Sequence, residues 1–403
     1  MPMAPARLSA LKQIPRGVWA LGFVSMFMDI SSEMIHALLP IYLVSVLGTS
    51  MMTVGFIEGI AEATAMITKV FSGAISDWIG KRKLLAVIGY GMAAFIKPVF
   101  PLAPNVEWLI GARFVDRIGK GIRGAPRDAL VADIAPEHIR GASFGLRQSL
   151  DTIGAFVGPL LAIGLMLLTA NNFKLVFWIA VIPAFIAFAL MVYGVEEPAK
   201  KSAAAPNKPS LQWRDAKRFS SAFWSIVAIA SVFTLARFSE AFLILKAQAV
   251  GLPIALVPAI MVVMNIVYAL VSYPAGALSD RIGRHGILIF GIAMLIVADL
   301  ILAFGTTVWV ALLGVVFWGL HMGLTQGLFA TLVADTAPEE LRGTAFGIFN
   351  LILGVAMLIA SVIAGGLWDA FGPRMTFLAG ASVTTIALLS LLVVQSRRLV
   401  KAV

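Results

Sequence analysis

The chain has 403 residues, 60% of them hydrophobic and 13% charged, with a net charge of +10. Soluble globular proteins run at about 45–50% apolar and about 25% charged, so the composition excludes an ordinary soluble domain and points to many membrane-spanning segments. Cysteine is absent, which excludes disulfides and thiolate metal sites. The basic excess lies in short segments between apolar runs, which argues against nucleic acid as a partner.

Residues 1–17 are polar and contain proline, and the first apolar run continues to full spanning length, so no cleavable signal peptide is expected. A spanning helix needs roughly 20 mostly apolar residues. Twelve runs qualify: 18–47, 53–75, 84–103, 107–125, 142–169, 173–194, 220–248, 254–278, 286–305, 308–332, 343–369 and 373–396. Pro40, Pro98, Pro183 and Gly354 inside them are compatible with helix, because neighbouring helices satisfy the freed backbone groups. The longest polar interruption, 196–218, holds Pro198, Pro206, Pro209 and several Lys and Arg residues. It reads as a cytoplasmic linker, alone or with a short amphipathic helix around 211–219. It divides the chain into one six-helix bundle over 1–195 and another over 219–403.

Lys and Arg set the orientation. They precede helix 1 (Arg7, Lys12, Arg16), fill loop 2–3 (Lys81, Arg82, Lys83), the linker, and the region of loop 4–5 (Arg123, Arg127, Arg140), and follow helix 12 (Arg397, Arg398, Lys401). Loops 1–2 and 9–10 carry none. Both termini are therefore expected in the cytoplasm, with the chain in the cell's inner (cytoplasmic) membrane.

Two stretches occur twice. Gly73, Asp77, Gly80 and Arg82 recur as Gly276, Asp280, Gly283 and, nearby, Arg281 and Arg284, 203 positions on. Leu130-Val131-Ala132-Asp133 with Pro136, Glu137 and Arg140 recurs 202 positions on as Leu332-Val333-Ala334-Asp335 with Pro338, Glu339 and Arg342. Two matches at nearly one period indicate a duplicated half, the architecture of many secondary transporters.

These stretches resemble the major facilitator superfamily of transporters, and the resemblance covers essentially the whole chain. The first pair is similar to the family's loop 2–3 motif, G-x-x-x-D-R-x-G-R-R/K, with Trp78 where the family has Arg. The resemblance implies a conformational latch made by Gly73, Asp77, Gly80, Arg82, Gly276, Asp280, Arg281, Gly283 and Arg284. In physical terms, Gly at a helix end permits close approach of a neighbour, and Asp accepts from a helix N-terminus or an Arg. The plainer alternative is a tight basic turn that only enforces topology. Gly154, Gly158 and Pro159 on helix 5 resemble the G-x-x-x-G-P motif of the superfamily's drug:proton antiporters. The family continues with two Gly, where this chain has Ala162 and Ile163. The alternative here is ordinary small-residue packing.

Ionisable groups inside spanning helices are functional candidates by default. Asp29, Glu33 and His36 share one face of helix 1 by their spacing. With Arg113 on helix 4 they form the expected proton and substrate centre, whose alternative is a static ion pair. Two registers compete for the family's helix 4 Arg: Arg117 fits the local string, Arg113 the distance to Asp133, and Arg113 is preferred. The polar block 116–128 is expected to pair with the linker or loop 2–3. Glu62, Asp151, Arg237 and Glu240 complete the candidate cavity, with Arg237 and Glu240 spaced to pair. Glu58 lies near a helix end, His321 reads as a packing residue, and Asp299 has no partner visible in the sequence.

The expected fold is thus an all-α membrane protein with twelve transmembrane helices in two pseudo-symmetric six-helix bundles. The expected function is alternating-access secondary transport, by proton-coupled efflux of a small organic compound or by proton-coupled uptake of an anionic metabolite. A different class is a receptor or scaffold on a transporter fold. No nucleotide-binding or hydrolase motif is present, so neither an enzyme activity nor a cofactor or metal is expected. The expected partners are a small-molecule substrate, protons and the lipid bilayer, with the chain a monomer.

Overall fold

The computed structural model describes residues 13–79, 81–197, 218–282, 284–338 and 341–402. Gly80, Gly283 and most of the linker lie outside the described residues. At Asp77, Asp280, Arg281 and Arg284 the description stops at the backbone.

Among the described residues twelve long helices follow one another: α1 (Arg16–Val46), α2 (Met51–Ile79), α3 (Arg82–Leu102), α4 (Val106–Ile134), α5 (Arg140–Leu168), α6 (Phe173–Tyr193), α7 (Ser221–Ala249), α8 (Ala259–Ile282), α9 (Arg284–Phe304), α10 (Val308–Thr336), α11 (Arg342–Phe371) and α12 (Pro373–Ala402). Eleven are long and apolar enough to cross a membrane. α4 falls short because Arg113, Asp116, Arg117, Lys120 and Arg123 interrupt its apolar surface. Large apolar side chains stand exposed along the spans, Leu168 at 84% and Phe95 at 62% among them, as lipid-facing surfaces require.

Two helices match their expected spans but are interrupted, and a third is longer than expected. α1 is α-helical to His36, turns at Ala37–Leu38, and continues through Leu39–Ile41 into a π-helical turn, Tyr42–Val46. Pro40 has no N–H to give and disfavours helix at the residue before it. α7 breaks into Ser221–Ala236 and Ala241–Ala249. At the break, Ser239 Oγ accepts from Ala241 N–H at 3.2 Å, tying the turn to the first residue of the second segment. Ser239 N–H in turn donates to Ser361 Oγ at 3.2 Å. α4 runs straight through Pro126 to Ile134, so Arg123 and Arg127 belong to a helix and not to the expected loop 4–5.

The chain forms two compact units. The first contains the residues up to Leu38 and those from Thr64 to the linker; the second contains Leu39–Ala63 and the residues after the linker. The bundle boundary read from the linker is thus crossed by one segment. In the second unit, Asp369 at the end of α11 caps α2: its two carboxylate oxygens accept from Met51 and Met52 N–H at 2.9 Å each. A Cβ on Gly59 would stand 2.9 Å from Leu358 Cα, so α2 meets α11 backbone to backbone over this stretch.

Helix partnerships repeat between the units. In the first, α1 packs on α5 and α6, and α3 on α4 and α6. In the second, α7 packs on α11 and α12, and α9 on α10 and α12. The first unit's core joins Val18, Leu21, Val24 and Met28 of α1 to Tyr90 of α3, Leu130 of α4 and Ala187 and Met191 of α6. The α1 members recur every three or four residues, as one helix face requires.

Candidate functional site

In the first unit, Asp29 and Glu33 are half-buried on α1, and His36 below them is buried. Glu33 Oε2 lies 3.6 Å from His36 Nδ1. Behind these acids runs α5. A Cβ on Gly154 would stand 2.5 Å from Met26 O and 3.0 Å from Asp29 Cβ; one on Gly158 would stand 2.9 Å from both Glu33 Cβ and Ile30 O. Only glycine admits that approach, so the Gly154–Gly158 pair seats the main chain of α5 directly behind the two acids. Pro159 lies within α5 and leaves it a single helix.

α4 presents its bases to those acids. The charged neighbours of Asp29 are Asp151 on α5 and Arg123, Lys120 and Arg127 on α4. Those of Glu33 are His36, Lys120 and Arg117. Arg113, expected here, sits elsewhere. It is 1% exposed and belongs to a buried cluster with Lys97 and Asp116. The substitution is by position along the helix: the acids meet α4 two turns nearer its end.

That buried cluster joins α3 to α4. Lys97 Nζ lies 3.0 Å from Asp116 Oδ1 and donates to Ser32 Oγ at 3.1 Å. Arg117 Nε lies 3.5 Å from Asp116 Oδ2. Breaking such a pair leaves an uncompensated buried charge. Among the described residues, the polar block of α4 therefore pairs inward with α1, α3 and α5. Arg147 Nη1 meets Asp151 Oδ2 at 2.6 Å, and Arg127 donates to Ser25 Oγ at 2.9 Å and to Asp128 Oδ1 at 3.2 Å. The Arg123 guanidinium lies 4.9 Å from the Tyr90 ring centroid. Loop 2–3 makes its contacts beyond that block. Arg82 pairs with Asp133 and also donates to Ala129 O at 3.2 Å, while the Arg82 and Lys83 backbone N–H groups donate to Glu197 at 2.9 Å each.

Over Asp29–Glu33 of α1, Lys97 of α3, the 113–128 stretch of α4 and Arg147–Asp151 of α5, the bases Lys97, Arg113, Arg117, Lys120, Arg123, Arg127 and Arg147 outnumber the acids Asp29, Glu33, Asp116, Asp128 and Asp151, with Lys120 alone among the bases exposed. The charge balance of these groups is therefore positive.

In the second unit, Arg237 and Glu240 occupy the break of α7, with Arg237 Nη2 3.3 Å from Glu240 Oε1. With its carboxamide oxygen turned to the guanidinium, Gln326 of α10 accepts from Arg237 Nη2 at 2.9 Å. Glu58, near the start of α2, is fully buried, which rules out the alternative that it merely faces water. Glu62, one turn on, is half-buried.

The latch glycines are less crowded than expected. A Cβ on Gly73 would meet Ala125 Cβ at 3.4 Å, an ordinary contact, and one on Gly276 would meet nothing within 4 Å. The tight α2–α4 approach falls instead at Gly121, where a Cβ would stand 2.5 Å from Thr68 Cβ. There Ser72 Oγ donates to Gly121 O at 2.9 Å.

A fold of paired helical bundles, with charged side chains clustered inside spans, defines a membrane transporter. The sequence matches the Major Facilitator Superfamily over residues 21–360 and again over 241–402, and the chain belongs to that family. It is 33% identical over 394 residues to an uncharacterized MFS-type transporter of Methanocaldococcus jannaschii, covering 94% of this chain and 95% of that one. It is 36% identical over 142 residues to the probable galactarate/D-glucarate transporter of Escherichia coli, covering 34% of this chain and 31% of that protein. Its fold is similar to that of a bacterial homologue of the human lysosomal transporter Spinster, in an inward-facing and occupied conformation. The TM-score is 0.76 at 15% identity, over 94% of this chain and 96% of that one. The protein is thus a membrane-embedded transporter of small molecules.

Proposed function

We propose that the chain couples proton movement to transport of a small organic anion by alternating access. The observation that carries this reading is the pair Asp29 and Glu33, half-exposed, held from behind by the glycines of α5 and faced by Lys120, Arg117 and Arg123 of α4. Carboxylates beside bases form a site where a proton and an anion compete. Protonating Asp29 or Glu33 frees positive charge on α4, and an arriving anion takes it up. The excess of bases over acids in this unit favours anionic cargo. The partial match to a transporter named for galactarate and D-glucarate points to the same chemistry. Within this unit His36 and Asp151 assist the proton; within the second unit Glu62 and the Arg237–Glu240 pair are the candidate charged groups.

Uptake with protons is the first direction. Efflux in exchange for protons is the second, favoured by the Gly154, Gly158, Pro159 string on α5. Both place the chain as a monomer in the inner membrane with its termini in the cytoplasm, supported by the Lys and Arg distribution. Both also assign the latch to the stretches around Asp77 and Asp280. Proteoliposomes carrying a pH dye decide between them. Galactarate added outside is expected to acidify the lumen under symport, as protons enter with it, and to alkalinise it under antiport, as entering substrate exchanges for lumenal protons. No dye response to any of a panel of sugar acids, carboxylic acids and neutral sugars would end the proton-coupled anion reading.

A further inference from the structure

Asp299 of α9 lies wholly inside the second unit: it is 0% exposed, and neither carboxyl oxygen has a hydrogen-bond partner. It points at α12, into room left by a missing side chain. A Cβ on Gly380 would stand 2.8 Å from Asp299 Oδ2 and 3.2 Å from the Phe238 ring. Phe238 packs on Trp318 with ring centroids 5.6 Å apart, and Trp318 packs on His321 at 5.4 Å. Trp318 and His321 are also fully buried, and Trp318 Nε1 and both His321 nitrogens lack partners. Buried polar atoms are nearly always satisfied, so one patch holding this many orphans calls for a cause.

The duplication identifies what is unusual. A Cβ on Gly89 would stand 2.8 Å from Arg123 Cβ, and one on Gly291 would stand 2.6 Å from Thr325 Cγ2. Both members of the second contact lie 202 positions after those of the first, the period of the repeat at 130 and 332. In that register Asp299 stands where the first unit has Lys97, and Trp318 where it has Asp116. The first unit fills these places with an ion pair at 3.0 Å. The second keeps an acid and supplies no base.

We propose that Asp299 is a proton-binding site of the second unit, with Trp318, which stands in the place of Asp116, positioned to receive the carboxylate when the proton leaves. An ionised carboxylate with no partner is costly in such surroundings, and a proton is the smallest cation that removes the charge. A metal ion fits poorly, since hard cations take about six or more oxygen ligands and this patch offers one carboxyl group. One O–H bond forms on Asp299 as the proton arrives and breaks as it departs; no other bond changes. Four elements border the patch. α10 contributes His321. The α7 break contributes Arg237 and Glu240, paired with each other. α12 has Arg374, which lies over the Phe304 ring at 4.7 Å, and α8 has Tyr268 among its described side chains. The inference deepens the proton-coupled reading and is tested without substrate.

The test is infrared difference spectroscopy on the full-length protein in lipid nanodiscs, between mildly acidic and alkaline buffer. Wild type is expected to show a carboxylic-acid C=O band that is lost in alkali and absent from Asp299→Asn at every pH. Asp299→Glu, which retains the acid should the Asn variant fold poorly, shifts the band frequency. Trp318→Phe removes one donor to the carboxylate and moves loss of the band to more alkaline pH. A band that ignores pH in the wild type, one that survives in Asp299→Asn, or one unshifted in Asp299→Glu would overturn the proposal. Failure of the Asp29 and Glu33 assignment reads out separately, as proton flux unchanged in Asp29→Asn while the Asp299 band remains.

Discussion

In the first unit the contact between α3 and α4 is fastened by charge: Lys97, Asp116 and Ser32 lie within 3.1 Å of one another in turn, with Arg117 beside them. The matching contact in the second unit, between α9 and α10, keeps the helix geometry and the glycine that lets the backbones approach. It fills the places of Lys97 and Asp116 with Asp299 and Trp318, and Gly119 is matched by His321. The frame was duplicated and its polar contents were not. A buried ion pair contributes little net stability but is costly to break, whereas a lone buried acid is expensive from the outset unless it carries something. The difference teaches that one position on a shared scaffold can serve as a fastener in one half and as a carrier in the other.

Substitutions sharpen that contrast, beginning with the largest effect. Asp116→Leu strands Lys97 in the first unit and is expected to destabilise it by about 3–5 kcal/mol, read as a large drop in thermal stability in detergent. Adding Lys97→Met should recover most of the loss, and recovery in that double variant is what a fastener predicts. Asp29→Asn is expected to lower substrate-driven proton flux about a hundredfold, equivalent to about 2.7 kcal/mol of barrier, with insertion and melting unchanged. Wild-type flux there would shift the proton work to the second unit.

Next come the glycines behind the acids. Gly158→Ala puts a methyl 2.9 Å from Ile30 O and is expected to cost about 1–3 kcal/mol as overpacking. Gly164→Ala on the same helix meets nothing within 4 Å and should be neutral or slightly stabilising, through better helix propensity. The second unit already has Ala356 and Ala360 at the corresponding register, so the close approach is peculiar to the half that carries Asp29 and Glu33. Smallest is Arg82→Ala. Its pair with Asp133 is partly exposed, 27% and 40%, and losing it should cost under about 1 kcal/mol by melting.

Much of this was legible from the chain alone. Apolar runs of spanning length gave the helices, and the repeats at 73 and 276 and at 130 and 332 gave the duplication, because both depend on local pattern. The breaks were half legible: Pro40 announces the turn in α1, but the interruption of α7 rests on Ser239 meeting Ser361, a contact 122 positions apart. α4 was read short because its charges lower its hydropathy, although those charges are what its neighbours require. Lys97 was visible as a charge in a span, yet its partner Asp116 sits on another helix, and spacing within a helix carries no information about pairs between helices. The same holds for Arg113, drawn to the acids of α1 by its sequence distance and found instead beside Lys97. Whether Glu58 faces water was open in the chain, because its place near a helix end does not tell which neighbours surround it.

The contact behind Asp29 and Glu33 is made by carbonyl oxygens and α-carbons of α1 and α5. Those atoms are common to every amino acid, so the separation and aim of the two acids are insulated from changes elsewhere on the cavity wall. The opposing face, on α4, is built of long side chains, of which Lys120 is exposed and open to exchange. A lineage with this arrangement is free to acquire new cargo by altering that face alone, while the coupling machinery is inherited intact.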